Sequence, residues 1–369
     1  MKRAIGNIIL LMFTICICFF IVEMSLRLFA PQIIELNIKY EWRAEDDILP
    51  YVPKANYRGR MFLKDQFDVA FTTNSAGFRS TEDISLSGSA EAFRILFIGD
   101  SFTFGWGISD DEIYAALFAE RLGKVYPDKK IEVLNAAVYG YDIVQYREVL
   151  KRAIKYNPDV IFLGFCLEND FNITPLKTED SVVEDSIRVE KNDIAYNIRE
   201  FVNHLHLVTM IRDRLYITFP KIRNLMLSIG INNKRDIFLK KYTPSLNRSL
   251  METENILIEM NDMARKQDAE FIVVLIPLKE QIYCREEING SMEHDIDRPN
   301  TALKHMLERN NIKYVDVLPG LVEKSGKIRE RLYFDIDPHW TRHGHAEAAE
   351  ILYRSYINER DPNDKNTDH

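Results

Sequence analysis

Runs of consecutive apolar residues alternate with amphipathic segments along most of the chain. Ile95 to Ile98, Ile131 to Asn135, Val160 to Phe165, Phe271 to Ile276 and Ile312 to Asp316 read as strands. The first, third and fourth are apolar without alternation, the pattern of strands buried on both faces of a parallel sheet. Between them the spacing predicts helices. Asp110 or Asp111 can cap one that carries Ile113, Leu117, Phe118 and Leu122 on a single face and stops at Pro127. Others are expected over Val144 to Tyr156, from about Ser249 to Gln267, near Thr301 to Arg309, and from about Thr341 to Ile357. Strand and helix in turn imply right-handed crossovers with helices on both faces. The fold class is therefore α/β, a flavodoxin-like three-layer sandwich around a five-stranded parallel sheet.

The ends and one internal stretch depart from this rhythm. After Met1-Lys2-Arg3 an apolar stretch from Ile8 to Ala30 covers 23 residues. As a helix it is about 34 Å long, enough to cross a bilayer. Glu23 and Arg27 stand four apart on one helical face, where they can pair near an interface. Lys2 and Arg3 place the N-terminus in the cytoplasm and the remainder outside it. No small-x-small cleavage site follows the apolar core, so an uncleaved anchor is favoured over a secretory signal. Residues 1–31 are thus a transmembrane anchor. Residues 32–92 form a small β-rich platform and linker, with strand-like alternation over Tyr51 to Met61 and Phe67 to Thr73. The sandwich comprises 93–171 and 249–358, split by an insertion over 172–248, and 359–369 is a charged tail expected to be frayed. Within the insertion Ile194, Ile198, Phe201, Val202, Leu205, Val208, Ile211 and Leu215 recur at helical spacing beside Arg199, Arg212, Arg214, Lys221, Arg223, Lys234, Arg235, Lys240 and Lys241. Such a segment lies on a lipid surface, meets an anionic polymer, or packs as a helical cap with its charges solvated.

Composition narrows the function classes. Lys plus Arg number 48 against 56 Asp plus Glu in 369 residues, which argues against a nucleic-acid partner. Of four cysteines, Cys16 and Cys18 lie in the anchor. Cys166 and Cys284 end apolar runs, where buried thiols are ordinary.

The carboxyl edge of an open α/β sheet is where ligands bind, and the loops expected there carry suggestive residues. Gly99-Asp100-Ser101 follows the first strand, Gly140 follows the second, and Asn169-Asp170 follows the third. Phe334-Asp335-Ile-Asp337-Pro-His339-Trp340 precedes the last helix. Each alone has an ordinary structural explanation as a turn or a cap. Asp335, Asp337, His339, His343 and His345 could also suggest zinc. However, His343 and His345 diverge on a helix and no second cluster completes a ligand set, so no metal or cofactor is expected.

In order, these blocks resemble the SGNH/GDSL hydrolase superfamily, from about Arg94 to Ile357. The resemblance implies the SGNH hydrolase fold, Ser101 as nucleophile, and His339 as general base. It implies an oxyanion hole from the Ser101 and Gly140 N–H groups and the Asn169 side chain. Two departures stand out: Ile336 occupies the family's usual acid position, and Leu167 stands where a glycine usually precedes the asparagine. Asp337-Pro-His339-Trp340 is similar to the Asp-x-His-Trp block of alginate-type polysaccharide O-acetyltransferases, which assigns Asp337 as the orienter of His339 with Asp335 as runner-up. The expected protein is a membrane-anchored, extracytoplasmic serine esterase acting through an acyl-serine on O-acyl or O-acetyl groups of an envelope or exported glycan, its substrate being an acylated carbohydrate or a small ester. A polysaccharide O-acetyltransferase, needing an acyl-donor membrane partner, is the alternative. A non-catalytic glycan-binding or scaffold domain is the alternative of another class.

Overall fold

A computed structural model of the chain describes residues 2–30, 41–63, 66–86, 92–171, 173–176, 201–202, 205–211, 234–327, 329–335 and 337–360. Most of the expected insertion and the tail from 361 lie outside the described residues. The chain divides into two compact units. One holds residues 1–39, 182–233 and 335–337; the other holds 40–181, 234–334 and 338–369.

The larger unit carries the sheet. Strands β5 (Ala92–Gly99), β6 (Lys130–Asn135), β7 (Val160–Cys166), β8 (Glu270–Ile276) and β9 (Lys313–Asp316) are all parallel, in the spatial order β6-β5-β7-β8-β9. This is the flavodoxin-like order, whose ligand crevice opens where the order reverses, between β5 and β7. Every residue of β7 is buried, as its unbroken apolar run requires. On one sheet face Ile95, Phe97, Phe162 and Val274 pack with Phe118 and Leu122 of helix α3 (Tyr114–Val125) and with Leu352 and Tyr356 of the final helix (Arg342–Arg360). Helices α4 (Ile143–Ala153) and α5 (Pro244–Arg265) pack against each other and against β5 and β8, respectively. The result is the three-layer α/β/α sandwich that the apolar pattern predicts.

Element boundaries shift where local chemistry overrides periodicity. The helix expected from Ser249 begins at Pro244, because Thr243 accepts from the Leu246 N–H and proline suits the first helical position. The one expected from Thr301 begins at Arg298, again with a proline in its first turn. The last helix continues to Arg360, whose guanidinium pairs with Glu270 and lies 3.7 Å over the Tyr356 ring. Neither Asp110 nor Asp111 caps α3: Ile113 holds that position, and Asp110 pairs with Arg79 instead. Helix Leu318–Ser325 lacked a sequence signal.

The platform is simpler than its alternation suggests. Strands β1 (Arg43–Ala44) and β2 (Val52–Pro53) form one short antiparallel pair; β3 (Arg58–Leu63) and β4 (Phe67–Thr72) form another. The strand expected over Tyr51 to Met61 is broken because Asn56 adopts a left-handed φ of 54°. In the smaller unit, helix α1 (Lys2–Phe29) contains a 25-residue apolar stretch, Ile5–Phe29, long enough to span a membrane. Cys166 is buried and Cys284, at the junction of the short helices Lys279–Tyr283 and Arg285–Asn289, is half-buried; both are free thiols.

Candidate active site

Gly99 ends β5 beside Gly164 of β7, its partner in register. A Cβ on either glycine would overlap Thr103 Oγ1. Their bareness lets a single helical turn, α2 (Ser101–Phe104), sit directly on the strand ends. Asp100 caps that turn by accepting from the Phe102 N–H at 2.9 Å. Ser101 is thereby fixed at the start of the turn and 93% shielded from solvent.

His339 approaches from the far end of the chain. The backbone between Leu332 and Thr341 folds back on itself: Phe334 N–H donates to His339 O at 3.0 Å and Thr341 N–H to Leu332 O at 2.9 Å. His339 Nε2 lies 2.6 Å from Ser101 Oγ, a separation of 238 residues in sequence. Phe102 packs 4.9 Å from the imidazole, centroid to centroid, and Tyr139 lies 6.0 Å away. A hydroxyl and an imidazole at hydrogen-bond distance, walled by aromatic rings, can pass a proton between them. Asp337 is buried whereas Asp335 is exposed.

Neighbouring loops are tied together by hydrogen bonds. Val138 N–H donates to Gly99 O at 3.0 Å, joining the loop after β6 to the end of β5. Asn169 Nδ2 donates to Tyr141 O at 3.2 Å, joining the loop after β7 to the same place. An amide NH₂ has two hydrogens, so one remains for a ligand. No acceptor among the described residues takes the N–H of Ser101 or of Gly140. Gly140 adopts φ 77°, and a Cβ there would lie 2.8 Å from the Tyr51 hydroxyl. The positive φ favours glycine, and a side chain there would also displace the Tyr51 hydroxyl.

Below the serine lies a buried acidic cluster. Burial pushes the Asp100 carboxyl up to about 6, with the His339 charge acting in the opposite sense. Asp170 is raised well above the ordinary carboxylate range by burial and by Asp100. Asp170 accepts from Tyr146 Oη at 2.7 Å and from the Cys166 N–H at 2.6 Å, which braces the Asn169 loop.

Three contributors carried no sequence signal. The Arg79 guanidinium, wholly buried, donates to the carbonyls of Phe104 (2.7 Å), Gly105 (2.5 Å) and Ile108 and pairs with Asp110 (2.8 Å). It thus holds the loop that follows α2. Tyr51 donates to Tyr139 O at 2.5 Å and accepts, through its carbonyl, from the Tyr141 hydroxyl. Arg43 stacks 3.6 Å over the Tyr51 ring. Of the histidines considered for zinc, His345 is buried in the core, its Nδ1 accepting from the Tyr114 N–H at 3.2 Å. Among the described residues no group of three or more His, Cys, Asp or Glu side chains is placed to hold a metal.

Comparison with known proteins gives a family. The model of the GDSL-like lipase/acylhydrolase family matches residues 97–347. Solved structures with a similar fold include a catalytic mutant of the acetylxylan esterase Axe2 from Geobacillus stearothermophilus. It is 17% identical, with TM-score 0.40 over 74% of this chain and 94% of that one. A protein described as a putative lipolytic protein of the G-D-S-L family from Desulfitobacterium hafniense DCB-2 is 13% identical, with TM-score 0.39 over 71% and 98%. A two-domain esterase active on acetylated mannans is 15% identical, with TM-score 0.41 over 73% of this chain and 49% of that one. No curated protein matches the sequence. The family match extends over more than half of the chain's 369 residues, and the chain therefore belongs to the GDSL-like lipase/acylhydrolase family of ester-bond hydrolases.

Proposed function

We propose that the chain is a membrane-anchored, extracytoplasmic serine esterase that removes O-acyl groups, chiefly O-acetyl, from an envelope or exported glycan. One observation carries the reading: His339 Nε2 and Ser101 Oγ stand 2.6 Å apart, both buried, at the sheet's switch point. Ser101 Oγ attacks the ester carbonyl as His339 takes its proton. The oxyanion accepts from the N–H groups of Ser101 and Gly140 and from the second N–H of Asn169. As the tetrahedral intermediate collapses and its bond to the sugar oxygen breaks, the His339 imidazolium gives its proton to that oxygen, which leaves as a hydroxyl. Water then attacks the acyl-serine with His339 again taking a proton, and the acid and free Ser101 result. Asp337 orients the imidazole and stabilises its charged form; its burial supports it over the exposed Asp335. The half-exposed Tyr139 ring beside His339 offers an aromatic flank for a sugar face.

A polysaccharide O-acetyltransferase of the same fold shares every step up to the acyl-serine. It differs in that a glycan hydroxyl, not water, accepts the acyl group. The Asp337-Pro-His339-Trp340 block supports this second reading, which also needs an acyl-donor membrane partner. Incubation with an acetylated oligosaccharide separates the two. Free acetate marks the hydrolase; acetate transferred to an added unacetylated glycan marks the transferase. Mass spectrometry of a quenched reaction should find the acyl group on Ser101, and its absence with every active ester would sink both. Binding of glycan without turnover would favour a non-catalytic domain.

A further inference from the structure

Glu23 is anomalous in its helix. Its neighbours Ile21, Val22 and Met24 are 57%, 42% and 39% exposed, yet Glu23 is 5% exposed. The cover comes from residues nearly two hundred positions away. Glu23 Oε1 accepts from the His206 N–H at 3.0 Å and Oε2 from the Leu207 N–H at 2.9 Å. Arg27 Nε donates to Oε1 at 2.8 Å. His206 opens a helical stretch, 206–211, whose first N–H groups have no partner within their own helix. A carboxylate supplied by another helix satisfies two of them, and a negative charge at a helix start is favourable.

We infer that α1 is kept in the mature protein, and that residues 205–211, with Phe201 and Val202 before them, are docked beside it with their apolar side chains in the lipid of the outer leaflet. The inference rests on the anchored reading of α1 and goes beyond it by assigning the segment a partner. A cleaved signal would be lost together with Glu23, stranding the N–H groups of His206 and Leu207. Depth follows from helix geometry. Phe29, the last residue of the apolar stretch, is six residues beyond Glu23, about 9 Å at 1.5 Å per residue. If α1 spans the membrane, whatever bonds to Glu23 therefore lies near the boundary of headgroups and acyl chains, the depth at which interfacial helices rest. Phe201, Val202 and Ile211, exposed in the isolated chain at 67%, 37% and 46%, then face acyl chains instead of water. Glu23 itself is tolerable at that depth because Arg27 balances its charge and two N–H groups satisfy its oxygens.

The test uses the full-length chain with an N-terminal tag and an environment-sensitive fluorescent amino acid at position 201 or 211. The protein is reconstituted in phosphatidylethanolamine/phosphatidylglycerol vesicles with or without brominated acyl chains. A tag retained after carbonate extraction of native membranes, with blue-shifted emission quenched by the brominated lipid at both positions, supports the inference. Loss of the tag from the mature protein overturns it together with the anchored reading. A retained tag with water-like, unquenched emission overturns the docking alone. In Glu23→Ala the quenching should be largely lost while turnover of a soluble acetyl ester and carbonate-resistant membrane association persist. Unchanged quenching in that variant overturns the role of the carboxylate.

Discussion

Two regions of the larger unit meet at the loop containing Gly140, and they hold it by different means. On the sheet side the loop is pinned by strand ends: Val138 N–H donates to Gly99 O, and Asn169 reaches it from the end of β7. Both contacts are anchored at the ends of central strands, of which β7 is buried along its whole length. On the platform side the loop is held by side chains beside short strands. Tyr51 bonds to Tyr139 O and Arg43 stacks on Tyr51, while Trp42, 5.5 Å from Phe104, braces the turn that carries Ser101. On the proposed mechanism the sheet sets where Ser101 and His339 sit, and the platform side chains border the loop beside them. Mutations on the sheet side should therefore cost turnover, and mutations on the platform side should cost substrate preference or stability.

The largest expected effect is on the sheet side. Ser101→Ala should lower ester turnover by about 10⁴-fold or more with little change in melting temperature. Wild-type turnover in that variant would remove the serine from the mechanism and the comparison with it. Asn169→Ala should reduce kcat by about 10²–10³-fold, the usual cost of one oxyanion donor. A loss confined to KM would show that the amide binds ground state and transition state alike. Arg79→Met tests the platform's structural share. It strands three carbonyls and Asp110, and denaturant titration should show a loss of about 3–5 kcal/mol.

Smaller effects sharpen the contrast. Tyr51→Phe removes one hydrogen bond, worth about 0.5–1.5 kcal/mol, and should change kcat/KM by no more than about tenfold. The change should differ between a small chromogenic ester and an acetylated oligosaccharide. Equal loss on both would make the platform a support only.

The two histidines of the C-terminal segment make a pH test. Acidification should lower turnover as His339 gains a proton and ceases to act as base. His345 acts on stability. Burial holds its imidazole down to about 3, below the unfolded value of about 6.5. The unfolded chain therefore binds the extra proton first, and the stability His345 contributes at neutral pH is lost as pH falls from about 6.5 toward 3. Asp100, raised to about 6, acts in the opposite sense, contributing stability below the unfolded carboxylate value and losing it as pH rises through about 6. The stability gap between wild type and His345→Asn should therefore narrow below pH 6.5, by up to about 1.4 kcal/mol per pH unit. A constant gap from pH 7 to pH 4 would place the imidazole in contact with water.

Amino-acid order alone determined the layers. Unbroken apolar runs at Ile95–Ile98 and Val160–Phe165 can be buried only inside a sheet covered on both faces, and the helices between them follow from apolar periodicity. Ser101, Gly140, Asn169 and His339 could be singled out because each lies where such a sheet exposes its carboxyl edge. What only the tertiary structure decided is which distant atoms meet. Arg79, Tyr51 and Arg43 resemble any polar residues of a surface segment until the platform folds against the loops after β5 and β6. Gly164 reads as an ordinary strand residue until Thr103 occupies the space a side chain would need. Periodicity reports the face a residue turns to its own element, and carries no information about long-range partners. Those are set by packing and by the requirement that buried polar groups be satisfied.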